Sequence, residues 1–222
     1  MTTDARQWLQ VIGLDLGKQS DPSALALLRW DARQEAVPKP RVYQVPMLKR
    51  WPLGTPYLEI VAAVLKLYQT PGFLPPNYPI LVVDATGVGV PVCEMVKEQL
   101  TRANAPGGMV GVTITGGRAT THVGEGQWHV AKKTLVSVLQ VLLGNRRLQV
   151  AQGLAEAATL VRELGTFQVK LTEVGNESFD AWRTKDTDDL VLAVALACWA
   201  AETLDCFKPV AAEVQGPLYL AV

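Results

Sequence analysis

The sequence predicts an α/β fold: a mixed central sheet that opens with an antiparallel three-strand meander, continues in parallel strands, and carries helices on both faces. Three observations predict it. Three β-type runs precede the first helical run. Helical and β-type runs then alternate, which is the pattern of a layered α/β domain. The apolar run from Ile80 ends on Asp84, as expected of a central strand buried on both faces.

The elements follow in order. Residues 11–16 are apolar and partly β-branched and end at Gly17, a first strand. Residues 18–22 contain an Asp21-Pro22 step and read as a turn, so residues 24–30 form a second, antiparallel strand. Pro38 and Pro40 bound a loop before a third strand at 41–48. Leu58, Val61, Ala62 and Leu65 recur at helical spacing and predict a helix over 55–67. Pro71, Pro75, Pro76 and Pro79 exclude regular structure between them. Residues 80–84 form the fourth strand, 91–103 a helix and 109–115 a fifth strand. Residues 116–127 are rich in glycine and threonine and predict a mobile loop. Amphipathic helices are expected over 130–143 and 154–164, the second stopping at Gly165, and residues 166–172 are a sixth strand candidate. The last helix, 188–203, is apolar almost throughout and is expected to be buried on most sides. Residues 209–222 read as a C-terminal tail beside a single domain over 1–208. A meander followed by a crossover is the order of the ribonuclease-H-like fold, where the first and fourth strands are parallel neighbours in the middle of the sheet.

Composition narrows the function. The chain has 222 residues, 49% hydrophobic and 19% charged, the balance of a packed domain. Lysine plus arginine and aspartate plus glutamate are both 21, so strong unaided binding to nucleic acid is not expected. Acids gathered in one site, with bases on a substrate-facing surface, suit this balance. Cys93, Cys198 and Cys206 lack zinc-site spacing and read as reduced and structural. His122 and His129 are too few for a histidine-rich metal site. The first residues lack a signal peptide's apolar core, and the longest strongly apolar stretch, from Leu190 to Ala201, falls short of the roughly 20 residues that span a bilayer. A cytoplasmic protein with no membrane partner is expected.

The chemistry is carried by acids at element ends. Asp15 lies near the end of the first strand and Asp84 closes the fourth. If those strands are parallel neighbours, both acids emerge at the strand edge where sites are commonly built. Asp188 and Asp189 open the last helix, which can bring them to the same edge. Each also has a plainer reading. Asp15 suits a strand end, Asp84 suits a cap for the turn after it, and Asp186, Asp188 and Asp189 suit a helix N-terminus. Converging carboxylates with no basic partner would repel one another unless hard divalent cations neutralised them, and Mg2+ prefers such all-oxygen ligands. Two ions about 3.5–4 Å apart clamp a phosphodiester.

Three segments resemble the nuclease domain of viral genome-packaging terminase large subunits, within the ribonuclease-H-like superfamily. The run Gly13-Leu-Asp-Leu-Gly-Lys-Gln-Ser-Asp-Pro-Ser-Ala-Leu25 is similar to that family's opening strand and turn. Val82-Val-Asp-Ala-Thr-Gly-Val-Gly-Val-Pro91 is similar to its second acidic strand, and Lys185-Asp-Thr-Asp-Asp-Leu-Val-Leu-Ala-Val-Ala-Leu-Ala197 to its closing helix. The resemblance implies metal ligation and catalysis by Asp15, Asp84 and the Asp188/Asp189 pair, with Asp189 the direct ligand and Asp188 auxiliary. It implies two Mg2+ or Mn2+ ions and hydrolysis of double-stranded DNA with little sequence preference, trimming concatemeric genomes during packaging. It also implies a packaging ATPase module, a small terminase subunit and a portal as partners, and a host-cell cytoplasm if the chain is phage-encoded. Thr187 stands where the family often has histidine, and the chain has no Gly-x-x-x-x-Gly-Lys-Ser/Thr phosphate loop. The expectation is therefore an excised nuclease domain, or one encoded apart from its motor.

Secondary candidates are weaker. Lys132, Lys133, Arg118 and Lys185 are candidate DNA contacts, with Arg146, Arg147 and Arg183 as further bases, although solvated faces explain them better. Asp21 either braces the first turn or lies near the metals. Six tryptophans suit packing better than base stacking. Rival readings are a Holliday-junction resolvase and, in a different class, an actin-like nucleotide-binding or kinase-type domain. The latter is suggested by the run Ile12-Gly-Leu-Asp-Leu-Gly17.

Overall fold

The computed structural model describes residues 7–17, 21–36, 39–70, 79–86, 89–105, 107–117, 119–173 and 188–204. The first three strands form the expected meander. β1 (Trp8–Asp15) pairs antiparallel with β2 (Ala24–Asp31), and β2 with β3 (Tyr43–Arg50). Helix α1 (Tyr57–Tyr68) then crosses to β4 (Pro79–Asp84), which lies parallel to β1 on its other side. Helix α2 (Gly89–Arg102) leads to β5 (Met109–Thr115), parallel to β4. Strands β6 (Thr121–Gly124) and β7 (Gln127–Ala131) follow, then α3 (Lys132–Gly144), β8 (Leu148–Val150), α4 (Ala157–Glu173) and α5 (Asp189–Thr203). One eight-stranded sheet results, in the order β6-β7-β5-β4-β1-β2-β3-β8. This is the mixed, ribonuclease-H-like sheet that the element order predicts.

Strand alternation divides the core between the two faces. Val11, Ala24, Ala26, Leu28 and Val82 turn toward the side covered by α3, α4 and α5. Ile12, Leu14, Leu25, Leu27, Leu81 and Val83 turn toward the side covered by α1 and α2. Helix α5 is buried from Asp189 through Ala201, which explains the near absence of polar residues along it. Among the described residues no helix is long and apolar enough to cross a membrane.

The structure corrects three expectations. The glycine-rich stretch after β5 contains a hairpin. Glu125 and Gly126 both take positive φ, 48° and 76°, and join β6 to β7 in a two-residue turn whose twist matches that of the strands. Strand β7 then pairs parallel with β5. Residues 166–172 are not a strand, because α4 runs through Gly165 to Glu173. A lone glycine costs a helix only about 1 kcal/mol and cannot stop one that continues on both sides. The short strand β8 occupies the sheet edge beside β3 instead. Cys93 and Cys198 are buried free thiols, as read. Cys206 and the predicted tail at 209–222 lie outside the described residues.

Candidate active site

Asp15 is the last residue of β1 and Asp84 the last of β4. The parallel register pairs Leu14 with Val83, so the two acids are adjacent at the same strand ends. Helix α5 packs across β1 and β2 and starts at Asp189, with Asp188 at its N-cap. Acids from three distant places in the sequence, Asp15, Asp84 and the Asp188–Asp189 pair, therefore act on one another.

Burial raises the pKa of Asp15 well above the carboxylate range, and the charges of Asp84, Asp189 and Asp188 push it further. The two carboxyl groups lie within hydrogen-bonding reach of each other. Asp84 is also raised by burial, but the backbone N–H of Thr86 donates to its Oδ1 at 2.8 Å and Lys132 lies close enough to favour its charge. Two buried carboxylates at close range disfavour each other's charged form. Asp189 is raised to about 6, first by burial and then by Asp188 and Asp21.

The expectation of acids without basic partners is corrected. Arg50, the last residue of β3, donates from Nη2 to Asp189 Oδ2 at 2.8 Å. Lys132, the first residue of α3, donates from Nζ to Asp188 Oδ2 at 3.1 Å. Two acids are thus engaged by cations of the chain, and the other two by each other. Among the described residues no group of three or more His, Cys, Asp or Glu side chains is arranged to hold an ion as it stands. Arg50 escaped the sequence reading because an arginine at a strand end carries no distinguishing local signal; only the adjacency of β3 and α5 gives it a partner.

Contacts to Gly17 anchor the chain just past the end of β1. Ser23 Oγ accepts from the Gly17 N–H at 3.0 Å, and Tyr57 Oη donates to the Gly17 carbonyl at 2.9 Å. A Cβ at Gly17 would fall 1.9 Å from the Asp21 carbonyl oxygen, so only glycine fits there. Ser23 braces this end of β1, and Asp21 contributes its charge at Asp189. A shallow cleft of about 190 Å3 beside this turn is lined by residues including Asp21, Pro52, Thr55 and Tyr57. It is smaller than the roughly 300–1,000 Å3 usual for enclosed small-molecule sites.

The remaining candidates separate. Lys133 is exposed on α3. Arg147 is committed to Glu202 at 2.6 Å and to the Arg41 carbonyl at 2.7 Å, and Arg146 is exposed in the turn after α3. Arg118, Arg183, Lys185, Asp186 and Thr187 lie outside the described residues. Trp30 and Trp199 are fully buried, and Trp128 packs edge-on against Trp199 at 5.6 Å, which is core packing.

The sequence matches no protein-family profile and no curated protein. Solved structures do match. The large terminase nuclease of thermophilic phage G20c aligns over 86% of this chain and 81% of its own, with 20% identity and a TM-score of 0.50. The manganese-soaked human cytomegalovirus terminase nuclease domain aligns over 93% of this chain and 90% of its own, with 10% identity and a TM-score of 0.59. The fold is that of the terminase nuclease domains. A further structure of the cytomegalovirus domain aligns over the same shares, with 11% identity and a TM-score of 0.53. The terminase-nuclease fold thus covers nearly the whole chain, as the three sequence segments led one to expect. At these identities the likeness is one of fold, and the chemistry must be argued from the carboxylates.

Proposed function

We propose that this chain is a metal-dependent endonuclease that hydrolyses double-stranded DNA with little sequence preference and trims concatemeric viral genomes during packaging. The observation that carries the proposal is the placement of buried Asp15 and Asp84 at the adjacent ends of parallel β1 and β4, with Asp188 and Asp189 at the start of α5 close enough to act on Asp15. The fold supports it, since the structures it resembles are nucleases, one of them soaked with manganese.

The donor set fits hard divalent ions. It is all carboxylate oxygen, largely buried, and strained by mutual repulsion that positive charge relieves. Asp15, Asp84 and Asp189 would hold the ions, with Asp188 auxiliary. Two Mg2+ or Mn2+ ions, when bound, supply an activated water and stabilise charge on the scissile phosphate and the departing 3′ oxygen. The chain's own residues do the rest. Bound cations would favour the charged form of both Asp15 and Asp84, offsetting the burial and mutual repulsion that disfavour it. The Thr86 N–H holds Asp84 in orientation, and the contacts of Ser23 and Tyr57 to Gly17 anchor the chain beside the end of β1. Arg50 and Lys132 hold Asp189 and Asp188 near the edge before ions arrive, and can then turn to phosphate. A zero formal net charge suits a nuclease that receives DNA from a partner, so a packaging ATPase, a small subunit and a portal are the partners proposed.

The test is cleavage of linear and supercoiled plasmid in Mg2+ or Mn2+, with chelated controls and the variant Asp84→Ala. Cutting should need the ion and vanish in the variant, whose circular dichroism stays that of the parent. Undiminished cutting by Asp84→Ala would remove the site from consideration. Preferential cutting of a four-way junction would replace the packaging role with junction resolution.

A further inference from the structure

Glu163 on α4 is a buried carboxylate, 4% exposed, that the proposed chemistry does not use. Its Oε2 accepts from the Leu190 N–H at 3.0 Å and from the Val191 N–H at 3.2 Å. Both donors lie in the first turn of α5, where backbone N–H groups have no partner within the helix. The usual partner is the side chain at the N-cap. Asp188 occupies that position and makes no capping hydrogen bond. Its carboxylate meets Lys132, and that of Asp189 meets Arg50. The cap that Asp188 would supply locally is supplied from a different helix. Arg50 lies near Glu163 as well as Asp189, so the added negative charge is partly balanced.

We propose that Glu163 is a positioning residue: by capping α5 from α4, it releases the carboxylates of Asp188 and Asp189 from helix capping and fixes the backbone that presents them to the cluster. This rests on the reading of Asp15, Asp84 and Asp189 as ion ligands. The role is not visible in the sequence, because Glu163 sits 27 residues before Leu190 and has the surroundings of an ordinary helix glutamate.

The experiment compares Mn2+ binding by calorimetry in the full chain, Glu163→Gln, Glu163→Met and Asp84→Ala. Glutamine keeps an acceptor of the same shape, whereas methionine fills the space without one. Glu163→Gln should bind Mn2+ within about threefold of the parent and Glu163→Met about tenfold or more weakly, the usual scale for residues that orient ligands. Unchanged Mn2+ affinity in folded Glu163→Met, with only a lower melting temperature, overturns the proposal while leaving the site reading intact. Absence of binding by the parent, or equal binding by Asp84→Ala, overturns the site reading and the role of Glu163 with it. Should Glu163→Met not fold, amide hydrogen exchange at Leu190 and Val191 decides. Slow exchange in the parent and in Glu163→Gln supports the cap, and fast exchange in the parent refutes it.

Discussion

Gly13 sits in the middle of β1, and the backbone of α5 lies directly over it. A Cβ at this position would fall 1.9 Å from the Ala193 carbonyl oxygen, 3.0 Å from its carbon and 3.1 Å from the Ala197 nitrogen. Carbon and oxygen approach to roughly 3.3 Å at closest, so Gly13→Ala demands a retreat of about 1.4 Å by α5. All three obstructing atoms are main chain, and no side chain can rotate away. Overpacking typically costs about 1–3 kcal/mol, and rigid surroundings put this case at the upper end. At about 2–4 °C per kcal/mol for a chain of this size, the melting temperature should fall by roughly 6–12 °C. The same retreat carries Asp188 and Asp189 away from Asp15 and Asp84. A misplacement of about 1 Å can cost on the order of 100-fold in rate, so cleavage should suffer well below the melting temperature. Gly144→Ala is the control, because no atom lies within 4 Å of its added Cβ. Thermal unfolding by circular dichroism, paired with Mn2+-dependent plasmid cleavage, reads both effects. A Gly13→Ala protein that melts within about 2 °C of the parent and cuts at the parental rate would refute the argument.

Other consequences follow from the charges. Burial, foremost, raises Asp189 to about 6 and Glu163 to about 7, and raises Asp15 and Asp84 as well. The folded state therefore keeps protons that the unfolded chain releases. That contribution is full below the ordinary carboxylate range and is lost as pH rises through about 4 to 7. The urea midpoint of ion-free protein should fall across that interval and recover with Mg2+; a rising midpoint would contradict the assignment. Arg50→Met removes the partner of Asp189, and since Arg50 is partly exposed the loss should be about 1–3 kcal/mol without ions. Unfolding with and without Mn2+ should show the ion restoring more stability in this variant than in the parent. Thr86→Val deletes the hydroxyl that accepts from the Ile114 N–H at 2.6 Å, for a loss of about 1 kcal/mol that Thr86→Ser should restore in denaturant titration.

The sequence by itself determined the core of the sheet and the places where acids stand. Strands β1, β2 and β4 are largely apolar runs, the pattern of strands buried on both faces. Asp15, Asp84 and the Asp188–Asp189 pair end or begin those buried elements, so the break from apolar to acidic is written locally. The edges were less legible. Strands β6 and β7 hide in a stretch rich in glycine and threonine, and β8 is only three residues long. Residues 166–172 have strand-like composition yet continue a helix, because local propensity yields to the element in which the chain is already engaged. Tertiary structure decided what surrounds the acids. Arg50 comes from β3, Lys132 from α3 and Glu163 from α4, and none has a local pattern that marks it as a partner of the acids or of their helix. Hydrophobic periodicity fixes which face of an element is buried. The pairing of polar groups depends on where the ends of different elements meet, and that is settled only when the helices pack on the sheet.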